Sequence, residues 1–190
     1  MRGLTWSTPP HFSTIEIVDA SITGLEVDAI INAANSTLAG GGGVDNAIHR
    51  AAGPELKSAC LAFPELRPGV RCEVGQVKVT PGFNLPARHV LHTVGPVWYG
   101  GSTGERDQLA RCYRNALGEV ARLQLTSVAF PAISTGAYGY PAHEAAKVAA
   151  QEAIVFAEGH PAAVRIVFSC FGVAMVKHLQ HALEAKLRAG

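Results

Sequence analysis

A layered α/β fold with a largely parallel, helix-covered sheet is the architecture the sequence predicts. Three observations carry it. β-branched apolar runs alternate along the chain with stretches of helical period. Ala29-Ile30-Ile31 is an unbroken apolar run, the pattern of a strand covered on both faces rather than wet on one. Glycine-rich turns at 40–43 and 136–139 fall where a strand-like segment gives way to a helical one.

Residues 1–12, with Pro9, Pro10 and several hydroxyl side chains, are expected to form a flexible leader, and 13–190 a single domain. Ile15-Glu16-Ile17-Val18 reads as the first strand and 27–32 as the second. Residues 74–80 alternate in period two, Val77 and Val79 on one side, Gln76 and Lys78 on the other. Three more β-branched runs, at 88–94, 127–133 and 164–170, bring the sheet to about six strands. The helix expected at 44–52 stops at Gly53-Pro54 and restarts through 55–63, because proline suits a first helical position. Residues 108–123 place Leu109, Cys112, Tyr113, Ala116, Leu117, Val120 and Leu123 on one stripe, and 142–157 and 174–187 complete the helices.

Composition removes whole classes of function. At 190 residues with 48% hydrophobic and 16% charged side chains, the chain can bury a core without a metal or disulfide staple. Sixteen basic residues against fifteen acidic ones leave a formal charge of +1, too little field to hold a polyanion, so stable nucleic-acid binding is not expected. A local pocket for a small anion needs no such global charge. Cys60, Cys72, Cys112 and Cys170 form no CxxC pair and no zinc-type cluster, so they read as reduced, buried small hydrophobes with no metal bound. No stretch approaches about 18 uncharged apolar residues. No membrane association and a cytoplasmic location are the expectations that follow.

The most informative stretch runs Asn32-Ala33-Ala34-Asn35, then on to Gly40-Gly41-Gly42-Gly43 and Val44-Asp45-Asn46-Ala47-Ile48-His49. Four consecutive glycines are entropically costly to order. They make sense where main-chain amides must close around a ligand at a helix N-terminus. A second turn, Ser134-Thr135-Gly136-Ala137-Tyr138-Gly139-Tyr140-Pro141, also follows a strand and precedes a helix. In a parallel sheet both turns lie at the carboxyl ends of strands, where open α/β sheets bind ligands. Neither contains Lys or Arg, so two linked phosphates would be held by neutral amides. No GKS or GKT follows the glycines, and no GxGxxG is present, which excludes a P-loop and a dinucleotide fingerprint.

These motifs, with Val27-Asp28-Ala29-Ile30-Ile31-Asn32-Ala33-Ala34-Asn35 and Leu91-His92-Thr93-Val94-Gly95-Pro96, resemble the macrodomains across 15–187. More narrowly they are similar to the MacroD-type branch. That resemblance implies a three-layer α/β/α fold with a mixed, largely parallel sheet. It implies hydrolysis of ADP-ribosyl esters on acidic side chains and deacetylation of O-acetyl-ADP-ribose, with water as nucleophile and no cofactor. The implied partners are ADP-ribose or O-acetyl-ADP-ribose and mono-ADP-ribosylated proteins.

Carried over residue by residue, the resemblance makes Asn35 a partner of the distal ribose and sets Asp45 and His49 at the reacting end. Gly41, Gly42, Gly43 and Val44 would wrap that ribose and the adjacent phosphate. Ser134, Thr135, Gly136, Ala137 and Tyr138 would form the second diphosphate loop. Ser21, Ile22 and Asn32 are further substrate-contacting positions, and Phe171 stands where the family places an aromatic beside adenine. One departure stands out. The family's Gly-Asp-Ile-Thr reads Ala20-Ser21-Ile22-Thr23 here, so Ser21 replaces the carboxylate that accepts from the adenine amino group. Base selectivity is therefore not carried over at Ser21.

From spacing alone, Asp45 and His49 sit at i,i+4 on one helical face. Asp45 can orient or deprotonate a water, with His49 supporting it. A first-turn carboxylate that steadies the helix dipole remains the plainer alternative. Asn32 and Asn35 can equally cap turns, and His92 reads as a core residue. A binding module that recognises ADP-ribose without turnover is the alternative to an enzyme.

Overall fold

The computed structural model describes residues 5–8 and 13–188, with the sequence order β1 Thr5–Thr8, β2 Ser13–Asp19, β3 Ala29–Ala34, α1 Gly43–Ala52, α2 Pro54–Leu61, β4 Val77–Pro81, β5 His89–Val94, α3 Glu105–Arg122, β6 Ser127–Phe130, α4 Ala142–Gly159, β7 Arg165–Cys170 and α5 Val173–Leu187. The strands form one seven-stranded sheet in the order β1-β2-β7-β6-β3-β5-β4. β2, β7, β6, β3 and β5 run parallel, while β1 and β4 close the two edges antiparallel. The sheet is thus mixed and largely parallel. Its seventh strand comes from the leader: Thr5 to Thr8 pair with Glu16 to Ser13, so that part of the segment expected to be flexible is a strand. The remainder of the leader lies outside the described residues.

Alternation along the strands sorts the core into two layers. Ala29 and Ile31 of β3, Leu91 of β5, Val128 and Phe130 of β6 and Ile166 and Phe168 of β7 pack against α3, α4 and α5. Ile30, Ala34, Val90, Val94, Ala129 and Val167 face the other way, onto Ile48 and Ala52 of α1 and Leu56 and Cys60 of α2. Both faces are covered, and this is why the central strands show apolar runs rather than clean alternation.

Several strand ends differ from the sequence reading for local reasons. β3 begins at Ala29 because Asp28 turns the corner: its Oδ2 accepts from Thr126 N (2.7 Å), Thr126 Oγ1 (2.8 Å) and Ser127 N (3.1 Å). β4 begins at Val77 because Gly75 adopts φ +84° and Gln76 N turns back to Glu73 O. β6 stops at Phe130, before Pro131, which cannot donate to a ladder. Among the described residues no helix is long and apolar enough to cross a membrane.

Candidate functional site

The carboxyl ends of β3, β5, β6 and β7 point to one edge, and the turns that follow them build a cleft. After β3, the loop is tied by its own polar groups. Asn35 Nδ2 donates to Gly40 O (3.0 Å), while Asn35 Oδ1 accepts from Thr37 Oγ1 (2.6 Å) and Thr37 N (3.1 Å). Leu38, at φ +57°, plugs into the core. From outside, Arg71 N donates to Ser36 O (2.8 Å) and Arg71 Nη1 to Thr37 O (3.2 Å). Asn35 thus organises the turn while one of its N–H groups stays uncommitted by any protein partner.

Gly41, Gly42 and Gly43 are exposed, and α1 starts at Gly43, behind the N-cap Gly42, with no side chain capping its first amides. Those donors, and the positive end of the helix dipole, face the cleft. A Cβ on Gly41 would stand 3.1 Å from both Asn35 Nδ2 and Asp45 Oδ2, so any side chain here would press on this pair. Gly40 and Gly43 adopt φ +91° and +59°, the left-handed region that favours glycine.

Asp45 is 3% exposed. Its Oδ1 accepts from Asn32 Nδ2 at 2.6 Å and lies 3.5 Å from His49 Nε2. Its Oδ2 is buried without a hydrogen-bond partner in the protein. A carboxylate held by one oxygen with the other unsatisfied is poised for a ligand or water, since leaving such an atom unpaired is costly. The helical spacing therefore brings Asp45 and His49 together as expected.

The second turn is strained at its start. Ser134 adopts φ +66°, is buried, and leaves Oγ without a partner. Thr135 Oγ1 donates to Ala132 O (2.9 Å), Gly139 N to Gly136 O (2.9 Å) and Tyr140 N to Ser134 O (3.0 Å), which leave Gly136 and Ala137 exposed above α4. Burial raises the Tyr138 phenol pKa, and the charge of Asp45 raises it further, so the two turns share one electrostatic space.

Asn32, Ile22 and Ser21 meet the implied site in different ways. Asn32, expected at the substrate, is 0% exposed and lies behind Asp45. Ile22 is 2% exposed, its side chain in the α1–α2 core, so only its main chain can meet a ligand. Ser21 is exposed with its hydroxyl 2.9 Å from Thr23 Oγ1, and it brings no charge to this end of the cleft. Asp19, two residues earlier, turns Oδ1 to Gly172 N (3.2 Å) and braces the β7–α5 corner. That corner presents Phe171 at 81% exposure, an aromatic face open for stacking.

The sequence reading missed the support beneath the second turn. A Cβ on Gly95 would collide with Ser134 Oγ, and Trp98 N donates to Tyr138 O (2.9 Å). The loop carrying Trp98 is cinched by Glu105, whose carboxylate accepts from Tyr99 N (3.0 Å), Gly101 N (3.1 Å) and Thr103 N (2.7 Å). Burial alone would raise the Glu105 pKa, but these main-chain donors and its own amide outweigh that and hold it at about 2.

The chain matches the Macro domain family over residues 31–149. It belongs to the macro domain family. A macro domain-containing protein of Xanthomonas axonopodis pv. citri is 52% identical over 172 residues, 90% of this chain and 96% of its own. An O-acetyl-ADP-ribose deacetylase of Klebsiella pneumoniae is 49% identical over 156 residues, 82% of this chain and 88% of its own. The Oceanobacillus iheyensis macrodomain, solved with ADP, superposes at a TM-score of 0.91 with 40% identity and full coverage of both chains. The Trypanosoma brucei macrodomain in complex with ADP-ribose gives 0.81 at 40% identity, covering 89% of this chain and 68% of its own. The three-layer macrodomain fold expected from the sequence is the fold observed.

Proposed function

We propose that the cleft of this macrodomain binds ADP-ribose and hydrolyses esters at its distal ribose, whether the acyl group is acetate or an acidic side chain of a modified protein. One observation carries the reading: the unpartnered Asp45 Oδ2 lies beside Asn35 and Gly41, where α1 opens with uncapped amides. The names of the Klebsiella relative and of the two ligand-bound macrodomains support it.

The diphosphate spans the amides of Gly42, Gly43 and Val44 on one side and those of Thr135, Gly136 and Ala137 on the other. Its negative charge then meets the N-terminus of α1 and the main-chain amides of the second turn rather than any cationic side chain. Phe171 stacks on the base. The distal ribose reaches Asn35, and Asp45 Oδ2 accepts a proton from a water aimed at the ester. The water oxygen bonds to the acyl carbon and the carbon–oxygen bond to the ribose breaks. The departing ribose oxygen takes the proton that Asp45 accepted from the water, which restores the carboxylate, and ADP-ribose and a free acid leave. His49, 3.5 Å from Asp45 Oδ1, supports the carboxylate. An open groove from Gly40 and Gly41 past His49 and Arg50 to Lys57 gives the acyl side room to be part of a protein.

The test is incubation with an acceptor mono-ADP-ribosylated on glutamate. Label is lost with the wild type and retained with Asp45→Ala. Calorimetric binding of ADP-ribose with no loss of label would leave a binding module instead of an enzyme.

A further inference from the structure

His92 occupies a strand position that its neighbours reserve for apolar side chains. On β5, Val90 and Val94 both pack into the α1–α2 core, and His92 between them is 0% exposed. It sits directly opposite Asn32 in the parallel β3–β5 register. His92 Nδ1 is 3.0 Å from Asn32 Nδ2, and His92 Nε2 is 2.9 Å from Thr80 Oγ1 on β4. With Asn32 Nδ2 donating to Asp45 Oδ1 at 2.6 Å, a polar line crosses three strands and ends on the carboxylate.

The chemistry of that line admits one arrangement. An amide nitrogen has two hydrogens and no lone pair to accept with, so Asn32 can donate to both Asp45 Oδ1 and His92 Nδ1 only if Nδ1 is bare. The ring proton is then on Nε2, donated to Thr80 Oγ1. The opposite tautomer would set N–H against N–H and favour turning the amide over. Its carbonyl oxygen would then face the Asp45 carboxylate, two acceptors at close range. Asn32 Oδ1 is buried with no partner, so the amide is not oriented by its own oxygen's needs. The carboxylate on one side and the imidazole on the other orient it.

We propose that His92 is a positioning residue for the ester hydrolysis: its bare Nδ1 locks the Asn32 amide with an N–H toward Asp45, which pins Oδ1 and leaves Oδ2 unpartnered beside Gly41. Burial, with a smaller contribution from nearby His49, depresses the imidazole pKa to about 3, so the ring stays neutral wherever the protein is folded and active. The tilted His49 ring, 6.4 Å away between centroids, flanks the same carboxylate without touching this line. Cys60 Sγ, 3.6 Å from Nε2, contributes no charge, because burial and the Asp45 charge push its thiol up to about 12.

The functional half of this inference rests on the hydrolase reading above, so its test has two separable parts. The first is nitrogen NMR on the labelled wild type. The expected result is a His92 ring protonated at Nε2 only, with a scalar coupling across the hydrogen bond between Nδ1 and Asn32 Nδ2. A ring protonated at Nδ1 overturns the proposal. The second is steady-state turnover of O-acetyl-ADP-ribose. His92→Leu should lower kcat about 10-fold, or about 1.4 kcal/mol, with KM and the Kd for ADP-ribose within about twofold. His92→Asn, whose Oδ1 offers an acceptor near the lost Nδ1, should recover most of the rate. A loss in His92→Leu that appears as weakened binding, or that His92→Asn does not rescue, makes His92 merely structural and overturns the positioning role. If the wild type shows no turnover the hydrolase reading falls, and the ring tautomer alone decides the wiring.

Discussion

Replacing Gly41 with alanine adds one methyl group at the crossing of the first turn and the candidate catalytic carboxylate. Gly41 is not among the residues at positive φ, so alanine meets no backbone strain there. Its Cβ would lie 3.1 Å from Asn35 Nδ2 and 3.1 Å from Asp45 Oδ2, against 3.4–4 Å for ordinary contact, so both polar atoms must retreat by a few tenths of an ångström. Asp45 cannot retreat freely, because its other oxygen is fixed by Asn32 at 2.6 Å. Displacing reacting groups by about 1 Å can cost about 100-fold in rate, and the smaller movement here should cost about 10-fold. Gly41 is exposed and keeps its N–H, so diphosphate binding and thermal stability should change little. The assay is acetate release from O-acetyl-ADP-ribose, with calorimetric Kd and a melting curve on the same preparation. A Gly41→Ala protein with wild-type kcat, Kd and Tm would refute the claim that the unpartnered Asp45 oxygen is where chemistry happens.

Four further outcomes follow from the same geometry. Ser21→Asp restores the carboxylate that the family places at the adenine amino group, and calorimetry should show ADP-ribose binding about 10-fold tighter, in line with a charge-assisted hydrogen bond; unchanged affinity would mean the base is read by another route. Phe171→Ala should weaken ADP-ribose by about 1–3 kcal/mol while leaving ribose 5-phosphate binding untouched. Asp28, held at about 2 against an unfolded value of 3.8 by Thr126 and Arg88 despite partial burial, stabilises the fold fully above about pH 4 and loses that contribution as pH falls toward 2. Asp28→Asn should lower the urea midpoint at pH 7 by the equivalent of about 1 kcal/mol after solvent screening and flatten the acid limb. Gly118, exposed within α3 with nothing within 4 Å of its Cβ position, should stabilise the protein by about 0.5–1 kcal/mol as Gly118→Ala, read as a higher Tm.

What the sequence made legible was local. An apolar run covered on both sides, four glycines and an i,i+4 acid–histidine pair all lie within 29–49, and short-range periodicity suffices to place them on β3, the first turn and α1. The remainder depends on pairings distant in sequence. Asn32 and His92 are 60 residues apart, and only strand register shows that they face each other behind Asp45. Read alone, an asparagine beside glycines resembles a ligand contact and a histidine in an apolar strand resembles core filler. Glu105 escaped because a helix read from its apolar stripe begins at 108, whereas its first residue turns its carboxylate back into the preceding loop. β1 escaped because an edge strand's pairing with β2 is not written in its own periodicity.

Main-chain amide shifts during titration with ADP-ribose test the site most directly. Gly42, Gly43 and Val44 of the first turn and Thr135, Gly136 and Ala137 of the second should move together and saturate at one Kd, with the Asn35 side-chain amide following them. Shifts confined to one turn, or centred away from both, would contradict a diphosphate held between the two turns with Asp45 at its far end.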